Sequence, residues 1–216
     1  MNKISDNEKI ELSQIIDDAG LFRLHSADEF GAYLDRCMDG YRNNPLFSYF
    51  CKGNFNSAIV RQIFYSSYCA SMGNSVSYCD SEEKNSCAVW IPSGIVQTNF
   101  KEFFKSGGAA LLKMGGPSLI MRIIRYELTV KGLKDAHTNH NDWYLYNYEC
   151  APEFDNDETF IKMVKPVVDN AWKTGRACYI EVSVESRIPA LMKMGFHIVG
   201  TVQIPNTSIK LYGMIV

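Results

Sequence analysis

Residues 143–172 read WYLYNYECAPEFDNDETFIKMVKPVVDNAW. The first eight are rich in aromatic and β-forming side chains, which predicts a strand over 143–150. Pro152 ends it. After the acids Asp155, Asp157 and Glu158, apolar residues recur at Phe160, Val164, Val167, Val168 and Ala171, the stripe of a helix packed along one side, with Gly175 just past its end. At such a strand-to-helix turn, unsatisfied backbone N–H groups and the positive end of the helix dipole favour an anion, and glycines let a phosphate come close. Here acids stand instead. Asp155 and Glu158 are three apart, so Asp155 is expected to cap the helix while Glu158 reaches back. Acids in a first turn complement the dipole by about 0.3–1 kcal/mol each.

Working outward, ACYIEVSV (177–184) predicts a strand, residues about 186–194 a helix, and FHIVGTVQI (196–204) and SIKLYGMIV (208–216) a closing pair of strands. Strand and helix alternating in this way imply a mixed sheet with helices on its faces. The first half is mostly helical. Segments 5–20, 26–41, 44–50 and 56–74 carry helical periodicity, and Ser26 with Glu29 has the spacing of a capping box. The period then changes. SVSYCDS (75–81) and SCAVWIPSG (86–94), joined by a polar turn, predict a β-hairpin ended by Pro92 and Gly94. Helix resumes over about 98–113 and 117–135, broken at Gly115-Gly116-Pro117. With no repeat, low-complexity tract or linker, one domain over 1–216 is expected, comprising a helix-rich part (1–135) and a second part (142–216).

Twenty-two basic against 24 acidic residues give a net charge of −2, so no electrostatic footprint for nucleic acid or an anionic membrane is present. The apolar stretch GGAALLKMGGPSLIMRIIRY (107–126) is interrupted by Lys113, Arg122 and Arg125, too soon for the roughly 18 apolar residues of a membrane span. The start, MNKISDNEKIE, lacks the apolar segment of a signal peptide, and a cytoplasmic protein is expected. Seven cysteines form no CxxC pair and sit among apolar neighbours, which predicts reduced, buried thiols. His137 and His140 lack a third ligand nearby, so a solvated loop rather than a metal site is expected there. No G-x-S-x-G, HExxH or Walker loop occurs.

The stretch 143–172, followed by CYIEVSVESRIPALMKMGFHIVG (178–200), resembles the acyl-CoA N-acyltransferase (GNAT) superfamily over roughly residues 142–203. NPLFSYF (44–50) and CAVWIPSG (87–94) are similar to upstream landmarks of that family. The resemblance implies an α/β fold with a splayed, mostly antiparallel sheet whose two central strands part to admit the pantetheine arm of acyl-CoA. It implies acetyl-CoA as co-substrate and a small-molecule or peptide amine as acceptor. Residues 142–216 would then form the cofactor cleft, and the family's Q-G-x-G-x-G loop falls on Asp155 to Phe160, with all three glycines replaced. A carboxylate pointed at a phosphate charge about 5 Å away costs on the order of 3 kcal/mol at an effective dielectric near 20. Two readings follow. Either the turn is filled by its own side chains, or the acids turn outward and Lys162 or Lys165 neutralises phosphate.

By this resemblance Tyr148, Cys150, Asn156, Asp157, Glu158, Thr159, Phe160 and Arg187 are the candidate cofactor-binding residues. The tyrosine that protonates the leaving thiolate in the family falls on Leu191, which has no proton to give. Arg187 replaces a cofactor-contacting asparagine and is expected to face solvent, a surface ion pair or a phosphate. Amine acylation needs a base and a polarised thioester carbonyl. Glu149 and Ser183 are the catalytic candidates, with Glu181 and Asp142 also in reach of the same strands. Strand alternation puts Glu149 and Cys150 on opposite faces, and exposed Glu is the common state, so Glu149 is expected at solvent unless it serves as the base. Trp143, Tyr144, Tyr146 and Tyr148 suit packing or an acceptor pocket. The alternative to an enzyme is a descendant that keeps the cleft to bind a ligand or partner. Assembly, as in a homodimer, would use the aromatic segments LFSYFC (46–51) and FKEFF (100–104).

Overall fold

Short polar side chains set where the helices begin. Ser5, Ser26, Asn44, Asn56 and Asn156 each stand one residue before a helix and accept a backbone N–H from its first turn. Ser5 and Glu8 form a reciprocal box. At Ser26 only half of the expected box forms: Ser26 accepts from Glu29 N at 3.1 Å, while the Glu29 carboxylate takes the N–H of His25 instead.

A computed structural model describes residues 4–95 and 104–216. In chain order it contains α1 (Asp6–Asp18), β1 (Phe22–Arg23), α2 (Ala27–Cys37), α3 (Pro45–Phe50), α4 (Ser57–Ser71), β2 (Val76–Cys79), β3 (Ser86–Pro92), α5 (Ala109–Asp135), β4 (Trp143–Cys150), α6 (Asp157–Lys173), β5 (Cys178–Val182), α7 (Ile188–Lys193), β6 (His197–Gln203) and β7 (Lys210–Ile215). α5 is broken where it was expected to be, at Gly116, whose φ of 68° and ψ of −176° leave the helical region ahead of Pro117. The start of the helix expected over 98–113 lies outside the described residues up to 103.

The strands form one seven-stranded sheet in the order β1-β2-β3-β4-β5-β7-β6. Every neighbouring pair is antiparallel except β4–β5, which is parallel. One apolar core, with Phe30, Leu34, Phe47, Val60, Leu119 and Ile123, lies under α2 to α5; a second, with Leu12, Ile16, Phe160, Val164, Val167 and Leu191, lies under α1, α6 and α7. The whole predicted stripe of α6 is buried in the second core. The fold class is thus a mixed α/β layer arrangement with a mostly antiparallel, open sheet.

Two irregularities shape the centre. Val89 pairs with Asn147 and Trp90 with Leu145, so Tyr146 is an extra residue, a β-bulge, in β4. The bulge reverses the alternation: Tyr148 packs on the α6 side, while Glu149, opposite Cys87, turns to the side of α2 and α4. The second irregularity is that β4 and β5 pair only at Trp143–Cys178 and Tyr144–Tyr179. Beyond that point each continues with its outer neighbour, β4 with β3 to Ser86 and β5 with β7 to Tyr212, and the two strands part.

Because α6 is the wall that closes one face of this split, its packing carries the stability of the centre. Met163→Ala, at a fully buried position, should cost about 2–5 kcal/mol of unfolding free energy in a urea titration. A loss under about 1 kcal/mol would show that α6 is not held by its buried stripe.

Candidate functional site

The parting of β4 and β5 opens a cavity of about 790 Å³. Tyr144, Tyr146, Tyr148 and Cys150 line it from β4, and Glu181, Val182 and Ser183 from the β5 side. At one end stand the α6 N-terminus, with Asp155, Asn156, Asp157 and Phe160, and Arg187. Phe47 and Phe50 of α3, Phe64 of α4, and Tyr126 and Glu127 of α5 also line it. The volume falls in the range of small-ligand sites.

Two carboxylates give this space its character. Burial, with help from the charge of Glu127, raises Glu181 from 4.5 to about 8 against the opposing O–H of Tyr144 and the charge of Lys134. The Tyr144 hydroxyl donates to Glu181 Oε1, and Oε2 is buried without a partner. Burial alone raises Glu127 to about 7. Lys134 is buried behind them: it donates to Ser93 O, pairs with Asp135 at 2.9 Å and lies 5.8 Å from the Tyr144 ring centroid. A carboxylate titrating near neutral pH in a cavity is suited to general base work. Glu127 was not legible in the sequence, where it is one acid between Tyr126 and Leu128 in a long helix; only the fold turns it toward β5.

At the α6 end the turn is arranged differently from expectation. The cap is Asn156, which accepts Thr159 N at 2.9 Å, and not Asp155. Asp155 instead accepts a hydrogen bond from Arg187, whose guanidinium lies 5.2 Å from the Phe160 ring centroid and 5.9 Å from that of Tyr148. Arg187 is thus in a surface ion pair, one of the settings expected for it, and not against a free anion. Asp157 is 3.5 Å from Lys193. Glu158 is exposed, Thr159 is half-buried, and neither lines the cavity. Lys162 reaches Asp80 O at 3.3 Å and Lys165 pairs with Asp169 at 2.6 Å, so both point away from the turn, against the reading that gives them to a phosphate.

Of the catalytic candidates, Ser183 lines the cavity and Glu149 does not. Glu149 is fully buried, not solvent-facing, because helices cover both faces of the sheet at this point; the Tyr146 bulge decides only that it enters the core on the side of α2 and α4. Both its oxygens lack partners, and burial holds its pKa well above the ordinary carboxylate value. Asp142 accepts backbone N–H groups from Asn139 at 2.6 Å and Ala177 at 3.1 Å, a structural duty that ties the start of β4 to β5. Tyr148 stands edge-on to Phe160 at 4.8 Å with its hydroxyl buried and unpartnered, and burial pushes the Cys150 thiol up to about 11. Leu191 is buried in the second core. Trp143 is core, whereas Tyr144, Tyr146 and Tyr148 line the cavity. All seven cysteines are free thiols. His137 and His140 are exposed, and among the described residues no cluster of His, Cys, Asp or Glu could hold a metal. No helix of the described residues is long and apolar enough to cross a membrane.

A scan against family models finds no match, and a search of curated proteins finds none either. Solved structures do match. One described as histone acetyltransferase HPA2 and related acetyltransferase from Corynebacterium glutamicum superimposes with a TM-score of 0.61 at 15% identity, covering 90% of this chain and 94% of that one. A mosquito arylalkylamine N-acetyltransferase like 5b matches with a TM-score of 0.44 at 11% identity, over 85% of this chain and 94% of the other. An agmatine N-acetyltransferase mutant in its apo form matches with a TM-score of 0.49 at 9% identity, over 99% and 97%. The parted sheet and the first of these superpositions together give the chain the fold of the GNAT acetyltransferases.

Proposed function

We propose that the chain is an N-acetyltransferase that moves an acyl group from acyl-CoA, acetyl-CoA in the first instance, to an amine by direct attack. The observation that carries this reading is the separation of β4 from β5 after Tyr144 and Tyr179, with a cavity running through the gap. An amide-bearing arm such as pantetheine needs strand edges whose N–H and C=O groups have no strand partner on that side, and the gap supplies them on both walls. The diphosphate end fits a glycine cradle poorly, since Thr159 N is already capped and Asp155 and Asp157 stand at the mouth. Arg187 lines the cavity there and is held by Asp155, and Lys193 stands 3.5 Å from Asp157.

Bound acetyl-CoA would supply an activated thioester. The chain's own part begins with Glu181, whose free Oε2 takes the proton of the acceptor ammonium while the Tyr144 hydroxyl fixes Oε1. Tyr148, kept protonated by burial, is a hydroxyl in the gap able to give a proton to a departing sulfur. Walls of Phe47, Phe50 and Phe64 exclude water from the reacting groups. In this reading Ser183 lines the route and Glu149 acts only through packing. A second reading, a cleft that binds a small ligand without acyl transfer, is favoured by the self-capped turn and its acids.

Calorimetry separates the two: saturable acetyl-CoA binding, with free thiol released in the presence of an amine, is expected, and no heat at millimolar acetyl-CoA would leave only the second. Asp155→Asn, which frees Arg187 and removes a charge from the mouth, should tighten acetyl-CoA several-fold; unchanged or weaker binding would show that the acid does not oppose the cofactor. Glu181 also has a signature independent of activity. Its folded pKa is raised from 4.5 to about 8, so the unfolded chain loses this proton first and the group's contribution to stability declines as pH rises from about 4.5 to 8. Glu181→Gln should flatten that decline in thermal melts and lower kcat by about a hundredfold or more. An unaltered pH profile would remove Glu181 from the base role.

A further inference from the structure

We infer that the chain carries a second binding site, for a phosphate group, in the recess where α1, the edge strand β1 and the start of β2 meet. The inference goes beyond the acyltransfer reading and does not rest on it.

The recess has a volume of about 200 Å³, below the roughly 300–1,000 Å³ of sites that enclose a drug-sized ligand, so it suits a small ion or a single charged group. Lys9 and Ser13 of α1 line it, with Arg23 of β1, His25 just after that strand, and Ser75 and Ser77 from the β2 side. Among the described residues no Asp or Glu belongs to its wall. Lys9 and Ser13 are four apart in α1, so one helix face presents an ammonium and a hydroxyl together. The neighbouring acids are engaged elsewhere: Asp17 takes Nη2 of Arg23 at 3.2 Å, and Glu29 accepts the backbone N–H of His25. An arginine has five N–H donors and a lysine three, and Lys9 spends one on Gly73 O at a long 3.4 Å. Most donors of both side chains are left over. The recess shares no lining residue with the cleft: of α4, Phe64 and Ser67 line the cleft, Tyr68 and Met72 the recess.

The edge of the sheet supplies further donors. Leu24 N–H reaches Ser77 O at 2.9 Å, so Ser77 faces β1 with its backbone groups. Ser75, two residues back and extended at φ −119° and ψ 158°, turns its own N–H to that same edge, where β1 has ended. The Ser75 hydroxyl is buried without a partner. A buried O–H with no acceptor is costly, and an oxyanion in the recess removes that cost. Its charge also relieves the repulsion between Lys9 and Arg23, which one sign of charge on the wall leaves uncompensated. A phosphate does both, because its tetrahedral oxygens can accept from an ammonium, a guanidinium and a hydroxyl at once.

The test is calorimetry of inorganic phosphate into the full chain at a pH of about 7.5, where the dianion dominates, against sodium chloride at matched ionic strength. Phosphate should bind saturably at millimolar concentration or below and raise the melting temperature, and chloride should do neither. Lys9→Met and Arg23→Gln should each weaken phosphate by about ten- to a hundredfold, the range of a charge-assisted hydrogen bond, and Ser75→Ala should weaken it several-fold. Arg187→Gln, in the cleft, should leave it unchanged. No saturable phosphate binding, equal binding of chloride, or binding lost in Arg187→Gln and kept in Lys9→Met would each overturn the inference. A readout on the unaltered chain covers variants that fail to fold. Phosphate should slow modification of Lys9 by an amine-reactive reagent several-fold, read by mass spectrometry, and spare the exposed Lys173; equal rates at Lys9 with and without phosphate would overturn the site as well. Glycerol 3-phosphate as a second probe distinguishes the sources: tighter binding than inorganic phosphate assigns the site to a phosphorylated metabolite, and equal or weaker binding to free phosphate.

Discussion

Two strand pairs, Trp143 with Cys178 and Tyr144 with Tyr179, hold the middle of the sheet together, and everything of interest lies where that pairing stops. A strand that loses its neighbour leaves a row of backbone donors and acceptors to be satisfied by something else. Here each strand keeps its outer partner, so the loss is confined to the inner edges. The anchor is firm. Trp143 N bonds Ala177 O at 2.8 Å, Asp142 ties the loop to Ala177 N, and Trp143 and Cys178 are fully buried. A rigid hinge with open edges beyond it allows a slot to persist without collapse of the sheet.

Two groups of charged residues line the slot, and they differ in their partners. At the α6 end the helix dipole is met by Asn156 and the first-turn acids, and the one cation in contact with Asp155, Arg187, is stacked over Phe160 and Tyr148. At the α5 end, carboxylates with pKa values of about 7 and 8 sit among rings. On the acyltransfer reading proposed above, the first arrangement would meet an anionic cofactor tail and the second a cationic acceptor. Glu149, fully buried with unpartnered oxygens, belongs to neither end and remains a polar burden on the core beneath α2.

What the sequence made legible was local. The α6 stripe from Phe160 to Ala171, the break at Gly116, the β2–β3 hairpin and the free thiols follow from periodicity, turn chemistry and cysteine spacing, each decided within a few residues. The resemblance carried by residues 142–203 anticipated the parted strands. What escaped depended on pairs far apart in the chain. The bulge at Tyr146 is set by the register against Val89 and Trp90, and it sends Glu149 into the core on the side of α2 and α4 instead of the one under α6. Asp155 looked like a cap because of its distance from Glu158, yet Arg187, distant in sequence, claims it and leaves the cap to Asn156. Glu127 acquires meaning only when α5 packs over β6 and β7 and brings it to the cavity that Glu181 also lines.

The central claim is that the gap between β4 and β5 receives the arm of acyl-CoA. Amide hydrogen exchange over Tyr146–Tyr148 and Val182–Val184, with and without saturating CoA, tests it most directly. The account predicts slowed exchange confined to those two inner edges and the α6 first turn. Unchanged exchange there, with protection appearing elsewhere or nowhere, would contradict it.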